Sequence, residues 1–361
     1  MRVLVYEWAC AGGYKAAPEI LGEGYAMMSA VAEDFTRVAE VAVSLDPALA
    51  CVSPLSTSVA AASLGEAIRS FSPDYALVIA PESAGALKAL VEEVLDSGVA
   101  SLNCSPEAIE LCGDKQRTIE EARRAGLATP FSTAVSTLEA PQRPLWLPAV
   151  AKPIDGVGCE GLYLVRDRLE LLKALKLIRQ AGWQEAVVQE YIKGANMSVS
   201  LIAQRGEAKA YTVNSQFISL APPPRASSYK GGYTPVKLPK AREAAKAAEH
   251  LCKSIRGLKG YIGVDIVLAE EPYIIEVNPR LTTSYIGMRL VLEQNPAKAM
   301  LAERTPTPKL RGHSAFRKLQ LRRKPKLRAH IAAPPGSKQA IVAVWAPTLP
   351  EALAELKRIS T

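Results

Sequence analysis

The sequence predicts an α/β protein in which an N-terminal parallel α/β domain is followed by two α+β subdomains. Over residues 1–113, short β-rich runs alternate with helical stretches, which is typical of a parallel sheet with helices on its faces. After residue 113 the pattern changes to a glycine-rich loop and to strands with polar ends. A chain of 361 residues is long enough for two or three domains. The first β-rich runs are Val3–Glu7, Val41–Leu45 and Tyr75–Ala80.

Helix and turn signals locate the later elements. Apolar residues at three- and four-residue spacing in residues 83–97 predict an amphipathic helix. Ser105 and Pro106 have the residue types of a helix N-cap and first turn. Three prolines between residues 139 and 148 predict a connection without regular structure. Further helices are expected at residues 115–126, 168–181 and 241–255, a strand at 147–152, and an antiparallel set of strands at 186–192, 197–204 and 208–217.

Composition and cysteine spacing narrow the class of protein. The chain is 48% apolar and 22% charged, and no apolar run approaches the ~18 residues of a transmembrane helix. The residues from Glu7 onward do not suit a signal peptide. Six cysteines without Cys-x-x-Cys spacing and three widely separated histidines argue against a disulfide framework or a zinc site. We therefore expect a cytoplasmic protein with small-molecule partners and no membrane or nucleic-acid partner, and the sequence leaves a homo-oligomer open.

Two short apolar strands carry a set of oxygen ligands. Asp265 lies in the first strand, and Glu276 and Asn278 lie two residues apart in the second. Because side chains alternate along a strand, Glu276 and Asn278 point to the same side, roughly 6–7 Å apart. Mg²⁺ that carries nucleotide phosphates is held by one or two carboxylates together with phosphate and water oxygens. A metal site is expected if the two strands are neighbours, and a polar strand end facing solvent is the alternative.

A glycine-rich segment follows an apolar run that ends at Ala151. Lys152 opens the segment, and Gly156, Gly158 and Gly161 follow. Glycines let backbone N–H groups approach an anion closely, and the lysine adds a positive charge. The spacing matches neither a Walker A loop nor a dinucleotide-binding fingerprint. The segment predicts an anion-binding loop, with a hairpin that binds no ligand as the alternative.

The order of these segments resembles that of the ATP-grasp superfamily. Lys115 follows Gly113 and Asp114, Lys152 precedes the glycine-rich loop, an apolar strand ends near residue 192, and the metal-bearing strands come last. In this family two lysines bind the ATP phosphates, and the glycine-rich loop closes over them. The backbone of a hinge strand contacts adenine, and acidic and amide side chains bind Mg²⁺ or Mn²⁺, with a ligand set that suits two ions. These implied contacts fall on Lys115 and Lys152, on Gly156, Gly158 and Gly161, on Gln189, Glu190, Tyr191 and Ile192, and on Asp265, Glu276 and Asn278.

The resemblance also implies a domain organisation and one departure from the family. An ATP-grasp fold is expected over residues 114–300, with subdomains 114–195 and 196–300 clamping ATP. A pre-ATP-grasp domain would occupy residues 1–113, and a short basic segment residues 301–361. The family places a glutamate after the hinge to hold the ribose, whereas this chain has Asn196 there. Asparagine can hydrogen-bond a hydroxyl but carries no charge, so a different ribose contact is an open alternative.

A site of this kind implies an ATP-dependent carboxylate–amine ligase. A carboxylate would attack the γ-phosphate to give an acyl phosphate and ADP, and an amine would then attack the acyl phosphate. Lys152 and Arg280 are the catalytic candidates, because they can stabilise charge on the transferred group. Residues 6–13 and 276–284 most resemble the archaeal tyramine–L-glutamate ligases of methanofuran biosynthesis. The alternatives are a ligase for another amino acid and amine, a small-molecule kinase of the same fold, and a non-catalytic ATP-binding module.

Three further segments are candidates for substrate contact. Residues 6–14 are expected at the C-terminal edge of a parallel sheet, where α/β proteins bind ligands, and a packed turn is the alternative. Residues 218–240 combine proline, tyrosine and glycine without a regular period, which predicts a loop over the site or a disordered excursion. The hydroxyls after Arg280 suit substrate contact or a helix N-cap. The candidates are Glu7, Gly12 and Gly13; Tyr229, Gly231 and Gly232; and Thr282, Thr283 and Ser284.

The net charge of +8 is concentrated near the C-terminus. Residues 301–361 hold 13 Lys and Arg against 3 Asp and Glu, a net charge of +10, whereas residues 1–300 sum to −2. Residues 317–328 lack an aromatic side chain that could stack on bases, and Leu319 and Leu321 alternate as in a half-buried strand. We expect a solvated basic strand or an edge that docks a subunit, in preference to a nucleic-acid surface.

Overall fold

Three β-sheets organise the part of the chain that the structure describes. No helix in that part is long and apolar enough to cross a bilayer. Its five cysteines are all free, and Cys51 lies outside it. The structure is a computed structural model, and it describes residues 1–15, 20–50, 58–61, 63–139, 146–320, 330–334, 337 and 339–360.

The N-terminal region forms the predicted parallel sheet. Its five strands run in the order β3-β2-β1-β4-β5, and β1 is buried on both faces. Leu4 packs on one face with the cluster that includes Val91, and Val3 packs on the other face with Phe35. The strands are β1 Arg2–Glu7, β2 Glu40–Leu45, β3 Ser58–Ala60, β4 Tyr75–Ile79 and β5 Ala100–Ser101, and the helices are α1 Leu21–Phe35, α2 Pro47–Ala50, α3 Leu64–Phe71, α4 Ala86–Asp96 and α5 Pro106–Gly113.

A small antiparallel sheet follows, in the order β6-β9-β7-β8. The expectation that residues 186–192 pair with the next two strands is wrong, because β9 pairs with β6 and β7 instead. The chain leaves this sheet at Gly194, where a Cβ would lie 2.5 Å from the Leu268 carbonyl oxygen. Only glycine permits that close crossing into the next sheet. The elements are α6 Lys115–Arg124, β6 Ser132–Ser136, β7 Ala149–Pro153, β8 Tyr163–Val165, α7 Arg168–Gln180 and β9 Glu185–Glu190.

The third sheet has eight strands and carries the polar strand ends that the sequence singled out. Its order is β14-β13-β10-β11-β12-β15-β17-β16, and all neighbouring pairs are antiparallel. The strands are β10 Ala195–Gln204, β11 Glu207–Ser219, β12 Ser228–Thr234, β13 Gly260–Leu268, β14 Pro272–Asn278, β15 His313–Gln320, β16 His330–Ala332 and β17 Gln339–Ala346, and the helices are α8 Ala241–Ser254, α9 Ser284–Val291, α10 Pro296–Leu301 and α11 Leu349–Ser360.

The expectation of an irregular loop is wrong for residues 228–234, which form β12 in the interior of the large sheet. A Cβ at Gly231 would lie 2.1 Å from the Phe316 carbonyl oxygen, and one at Gly232 would lie 2.0 Å from the Ser215 carbonyl oxygen. These glycines therefore mark a strand whose backbone passes very close to both neighbours. Sequence patterns read the same residues as turn formers.

The basic C-terminal segment continues the large sheet. Residues 317–320 form part of the strand β15, as expected, and are partly exposed. The alternative that this segment is a sheet edge is wrong for these residues, because β15 is hydrogen-bonded to β12 on one side and to β17 on the other. Residues 321–328 lie outside the described residues. The proline-rich connection at residues 139–148 likewise falls partly outside them, at 140–145.

A buried charge network joins α1 to α9. Arg289 donates hydrogen bonds of 2.8 and 2.7 Å to the two oxygens of Asp34, and the Tyr285 hydroxyl donates to Asp34 Oδ2 at 2.7 Å. The side chains of Asp34 and Arg289 are 3% and 5% exposed, so water does not screen the pair. This network fixes the N-terminal domain against the large sheet.

We expect Asp34→Asn to lower the free energy of unfolding by about 3 kcal/mol, because it leaves Arg289 buried without its bidentate carboxylate. Glu33→Gln is the matched control, since Glu33 also contacts Arg289 at 3.1 Å but is half exposed, and a change within about 0.5 kcal/mol is expected there. Urea denaturation of both variants measures the difference. Equal losses in the two variants would contradict the assignment of the network to Asp34.

Candidate active site

A cleft separates the small sheet from the large sheet. One wall comes from the glycine-rich connection between β7 and β8 and from the end of β9, and the other from β10, β11, β13 and β14. The cleft thus lies between two sheets that belong to different parts of the chain. The lining residues that the sequence predicted are Lys115, Lys152, Gly156, Gly158, Gln189, Glu190, Tyr191, Ile192, Asn196, Asp265 and Glu276.

The expected metal ligands share one face of the large sheet. Asp265 on β13 lies directly opposite Glu276 on β14, and Gly263 lies opposite Asn278. A Cβ built at Gly263 would be 3.6 Å from the Asn278 Cβ, so Asn278 points to the same side as Glu276. Gln216 Nε2 donates a 3.0 Å hydrogen bond to Asp265 Oδ1 and orients that carboxylate.

This donor set suits a cation that arrives with phosphate. No group of three or more His, Cys, Asp or Glu side chains that could hold a metal by itself occurs within the described ranges. Two carboxylates and an amide are the ligands that Mg²⁺ takes when phosphate and water oxygens supply the other positions. The residues present therefore fit Mg²⁺ bound together with a nucleotide.

Two buried lysines face the carboxylates from the small-sheet side. Lys152 Nζ lies 3.4 Å from Glu276 Oε2, and Lys115 Nζ lies 3.9 Å from the same oxygen. Lys115 also donates to the Gly156 carbonyl oxygen at 2.6 Å, which ties it to the glycine-rich loop. Lys115 reaches this position because it opens α6, a helix capped by the Asp114 carboxylate. The structure thus brings together the two lysines that were predicted to contact phosphate.

Burial and neighbouring charges shift the pKa values of Lys152, Glu276 and Asp265. Burial lowers the pKa of Lys152, against the opposing effect of Glu276. Burial acts to raise the pKa of Glu276, but Lys152 and Lys115 outweigh it and hold this pKa below its usual range. Burial and then the neighbouring Glu276 charge raise the pKa of Asp265. Glu276 is therefore the anion that the lysines stabilise, and Asp265 is the carboxyl with the higher proton affinity.

Two glycines of the glycine-rich loop adopt left-handed backbone conformations. Gly158 and Gly161 adopt φ values of +66° and +63°, which favour glycine. A Cβ at Gly161 would also lie 2.8 Å from Pro153 Cγ. Gly156 and Gly158 line the cleft, whereas Gly161 supports the loop by packing on Pro153.

The end of β9, where a hinge is predicted, is bonded to its neighbours through two backbone N–H groups. The N–H groups of Glu190 and Tyr191 donate to the carbonyl oxygens of Phe131 and Pro148, at 2.8 and 3.0 Å. The chain leaves the sheet directly after these bonds. Gln189 is 2% exposed, and its Nε2 has no hydrogen-bond partner in the described structure. A buried amide donor of this kind is normally satisfied, so it indicates a ligand in the cleft.

Comparison with known families identifies the protein family that has this arrangement of residues. Residues 112–284 match the model of the ATP-grasp domain family, and residues 40–109 match that of the pre ATP-grasp 3 domain. The chain contains an ATP-grasp domain. The predicted resemblance and the predicted fold class are both confirmed.

Two named relatives and one solved structure are similar to this chain over most of its length. It is 30% identical over 228 residues to a tyramine–L-glutamate ligase from Methanocaldococcus fervens, a match that covers 63% of this chain and 65% of the relative. It is 28% identical over 313 residues to the ligase of the same name from Methanocaldococcus jannaschii, covering 83% and 87%. The crystal structure of an ATP-grasp superfamily protein from Archaeoglobus fulgidus superimposes with a TM-score of 0.71 at 23% identity, covering 96% of this chain and 99% of that one.

Arg280 of the ATP-grasp domain faces a second cavity beside the cleft. Arg280 Nε donates to Glu82 Oε2 at 3.0 Å, and Glu82 follows the parallel strand β4. Burial acts to lower the pKa of Arg280, but Glu82 outweighs it, so the guanidinium stays charged. The second cavity also contains Glu7 and Gly158, which places it on the other side of the glycine-rich loop.

The structure separates the remaining substrate candidates. Glu7 lines the second cavity, whereas Gly12 and Gly13 are not among the described residues that line it. Gly13 instead packs against Trp8, since a Cβ at Gly13 would lie 2.4 Å from the Trp8 ring. The hydroxyls of Thr282, Thr283 and Ser284 bond to Tyr261, Glu23 and Ser198, at 2.9, 2.8 and 3.2 Å. Thr283 precedes α9 without capping it. Gly231 and Gly232 shape β12, and the Tyr229 phenol lies beside Ser284.

Several residues of the site carry no strong sequence signal. Gln216 and Glu23 lie inside a strand and a helix, and only long-range pairing brings them to the cleft and the second cavity. Glu82 was detectable in principle, because it follows a strand of the parallel sheet, where ligands of such sheets bind. Asp155 lies inside the glycine-rich loop, where the glycines are the stronger sequence signal.

Asp155 connects the glycine-rich loop to the N-terminal domain. Its Oδ2 accepts a 2.9 Å hydrogen bond from the Ala84 N–H, and its carbonyl oxygen accepts a 2.8 Å bond from the Ser83 hydroxyl. Its Oδ1 accepts a 2.9 Å bond from Trp183 Nε1, which belongs to the small-sheet region. One carboxylate therefore holds the loop against both neighbours.

We expect Glu276→Gln to reduce ATP-dependent ADP release by at least about 100-fold, because it removes a carboxylate ligand and the partner of both lysines. Glu271→Gln is the control, since Glu271 is exposed and lies in the turn before the same strand. Initial rates at saturating Mg²⁺ provide the measurement. Near wild-type rates for Glu276→Gln would overturn the metal assignment.

We expect Asp155→Asn to raise the KM for ATP about tenfold, because an amide can accept only one of the two side-chain hydrogen bonds and a bond to a charged group contributes about 1.5–3 kcal/mol. Glu185→Gln, an exposed carboxylate in the same small sheet, is the control. Steady-state kinetics with varied ATP test this expectation. An unchanged KM would show that these bonds do not hold the loop over the nucleotide.

Proposed function

We propose that this ATP-grasp protein is an ADP-forming ligase that joins the γ-carboxylate of L-glutamate to the amine of tyramine. The observation that carries the reaction class is the meeting of Lys152 and Lys115 with Glu276 beneath the glycine-rich loop. The choice of glutamate and tyramine is supported by the two ligases of that name, which match 63% and 83% of the chain.

The first step is transfer of the γ-phosphoryl group to the donor carboxylate. A carboxylate oxygen forms a bond to the γ-phosphorus, the bond from that phosphorus to the β–γ bridging oxygen breaks, and ADP leaves. Lys115 and Lys152 bind the phosphates through point charges, and Arg280 stabilises negative charge as it spreads over the transferred group. Asp265, Glu276 and Asn278 would hold Mg²⁺ or Mn²⁺, with Glu276 shared if two ions bind. When bound, the metal neutralises phosphate charge.

The second step joins the amine to the activated acid. Acyl phosphates hydrolyse when water reaches them, so the glycine-rich loop has to cover the intermediate until the amine reacts. The hydrogen bonds of Asp155 to Ser83 and Ala84 support that closed arrangement. The proposal needs no cysteine or serine nucleophile, because positioning and charge stabilisation supply the catalysis.

The deciding experiment incubates the purified protein with ATP, Mg²⁺ and glutamate, with tyramine, with hydroxylamine, or with neither. ADP release and product masses are followed, and Glu276→Gln provides a control for contaminating activities. A γ-glutamyltyramine mass with tyramine and a γ-glutamyl hydroxamate with hydroxylamine are expected. Hydroxamate and amide with other amines only would replace tyramine in the proposal. A phosphorylated product that resists hydroxylamine would identify a kinase instead.

A further inference from the structure

The second cavity combines charge at one end with apolar walls. Its charged residues are Glu7, Glu23 and Arg280, and the backbone of Gly158 separates it from the nucleotide cleft. The side chains of Met27 and Ile79 are 7% and 1% exposed and belong to the core behind the cavity. Ile20, Ala80, Pro81 and Val157 also contribute to the apolar lining.

Glu7 is built into this cavity. It is 3% exposed, and its Oε2 accepts a 2.7 Å hydrogen bond from the Cys10 N–H. Gly24 in the first turn of α1 lets the carboxylate lie against the helix, because a Cβ there would be 2.4 Å from the Glu7 carboxylate. The helix therefore has no side chain at the point where the acid needs space.

The other charges in the cavity are already matched. Arg280 pairs with Glu82 at 3.0 Å. Glu23 pairs with Lys318 and accepts a 2.8 Å hydrogen bond from Thr283. Across the described ranges, no lysine, arginine or histidine forms an ion pair with Glu7, although this is the most buried of the three cavity charges. A buried carboxylate without a cation is unfavourable, and a cationic ligand would relieve that cost.

We propose that this cavity binds the acceptor amine of the ligase, with its ammonium group on Glu7 and an apolar body along Met27 and Ile79, and that Glu7 removes the proton that activates the amine. The proposal rests on the ligase function above and adds a substrate class and a general base. The amine would lie next to Arg280 and the loop that covers the acyl phosphate.

The proton and electron balance is simple. The ammonium gives one proton to the Glu7 carboxylate, which leaves a free amine with a lone pair. The nitrogen forms a bond to the acyl carbon, the bond between that carbon and the phosphate oxygen breaks, and the phosphate leaves with a second proton from the nitrogen. Glu7 then returns its proton to solvent. No oxidant or reductant takes part.

The electrostatic setting of Glu7 suits this chemistry. Burial raises the pKa of Glu7 to about 7, against the bond from Cys10 and the positive charge of Arg280, which lower it. The other titratable groups that face it are Glu23 across the cavity and Tyr6 and Cys10 from its own chain segment. A base that titrates near neutral pH can both accept and release a proton there.

The apolar walls define the class of amine. A second cationic or strongly polar end would lose its hydration against Met27, Ile79 and Ile20, which is unfavourable. An aromatic ring packs favourably there, and Met27 can contact its edge. We therefore expect 2-phenylethylamine to replace tyramine as an acceptor with at least tenfold higher kcat/KM than putrescine. Equal use of putrescine would overturn the apolar-body assignment.

The decisive test measures two products of each variant, the amide made with tyramine and the hydroxamate made with hydroxylamine, which is uncharged at neutral pH. For Glu7→Gln the ratio of amide to hydroxamate should fall about 100-fold, the usual contribution of a general base. Glutamine can still accept the Cys10 bond, so the fold is retained. Gly24→Ala should lower the same ratio by displacing Glu7, while Gly22→Ala, whose nearest neighbour would be 3.9 Å away, should not.

The pH profile separates a base from a residue that only shapes the cavity. In the wild-type protein the amide rate should level off above about pH 7, when Glu7 is ionised. In Glu7→Gln it should keep rising about tenfold per pH unit with the free-amine fraction. An unchanged product ratio and an unchanged profile in Glu7→Gln would refute the inference. Absence of hydroxamate from the wild-type protein would instead refute the proposed ligase function.

Discussion

The contact between Lys152 and Glu276 is the constraint on which the site depends. Lys152 belongs to the small sheet and Glu276 to the large one, and their charged atoms are 3.4 Å apart. Each group is costly to bury alone, because a desolvated charge needs a partner. The ion pair therefore favours the arrangement of the two sheets that brings these charges together. That arrangement also forms the cleft and places the glycine-rich loop above it.

Three of the contacts described above show how the N-terminal domain holds this arrangement. Asp34 bonds Arg289 behind the large sheet, Glu82 bonds Arg280 just beyond β14, and the turn at residues 83–85 bonds Asp155 in the loop. All three contacts join residues far apart in sequence. The domain thus positions an ATP-grasp domain whose proposed phosphate and metal ligands lie elsewhere, and it contributes Glu7 to the second cavity.

The parts of the site that sequence predicted well are those with a local cause. Alternation along β14 places Glu276 and Asn278 on one face whatever the rest of the chain does, and the spacing of Gly156, Gly158 and Gly161 requires a loop. The loop predicted around Gly231 and Gly232 is a strand. A pair of glycines looks the same in sequence whether it forms a turn or lets two strands pass close together. Gln216 and Glu23 were missed because their surroundings come from other strands, which local patterns do not specify.

Completion of the second cavity has a consequence for synthesis of the chain. Lys318 on β15 pairs with Glu23, which lies 295 residues earlier in the sequence, and its ammonium is 5.1 Å from the centre of the Tyr229 ring. Such distant pairings form late, because the intervening chain must first be ordered. A nascent polypeptide that already contains the whole nucleotide cleft still lacks this partner for Glu23. Glu23 therefore gains its cationic partner only after all the segments that line the nucleotide cleft have been synthesised.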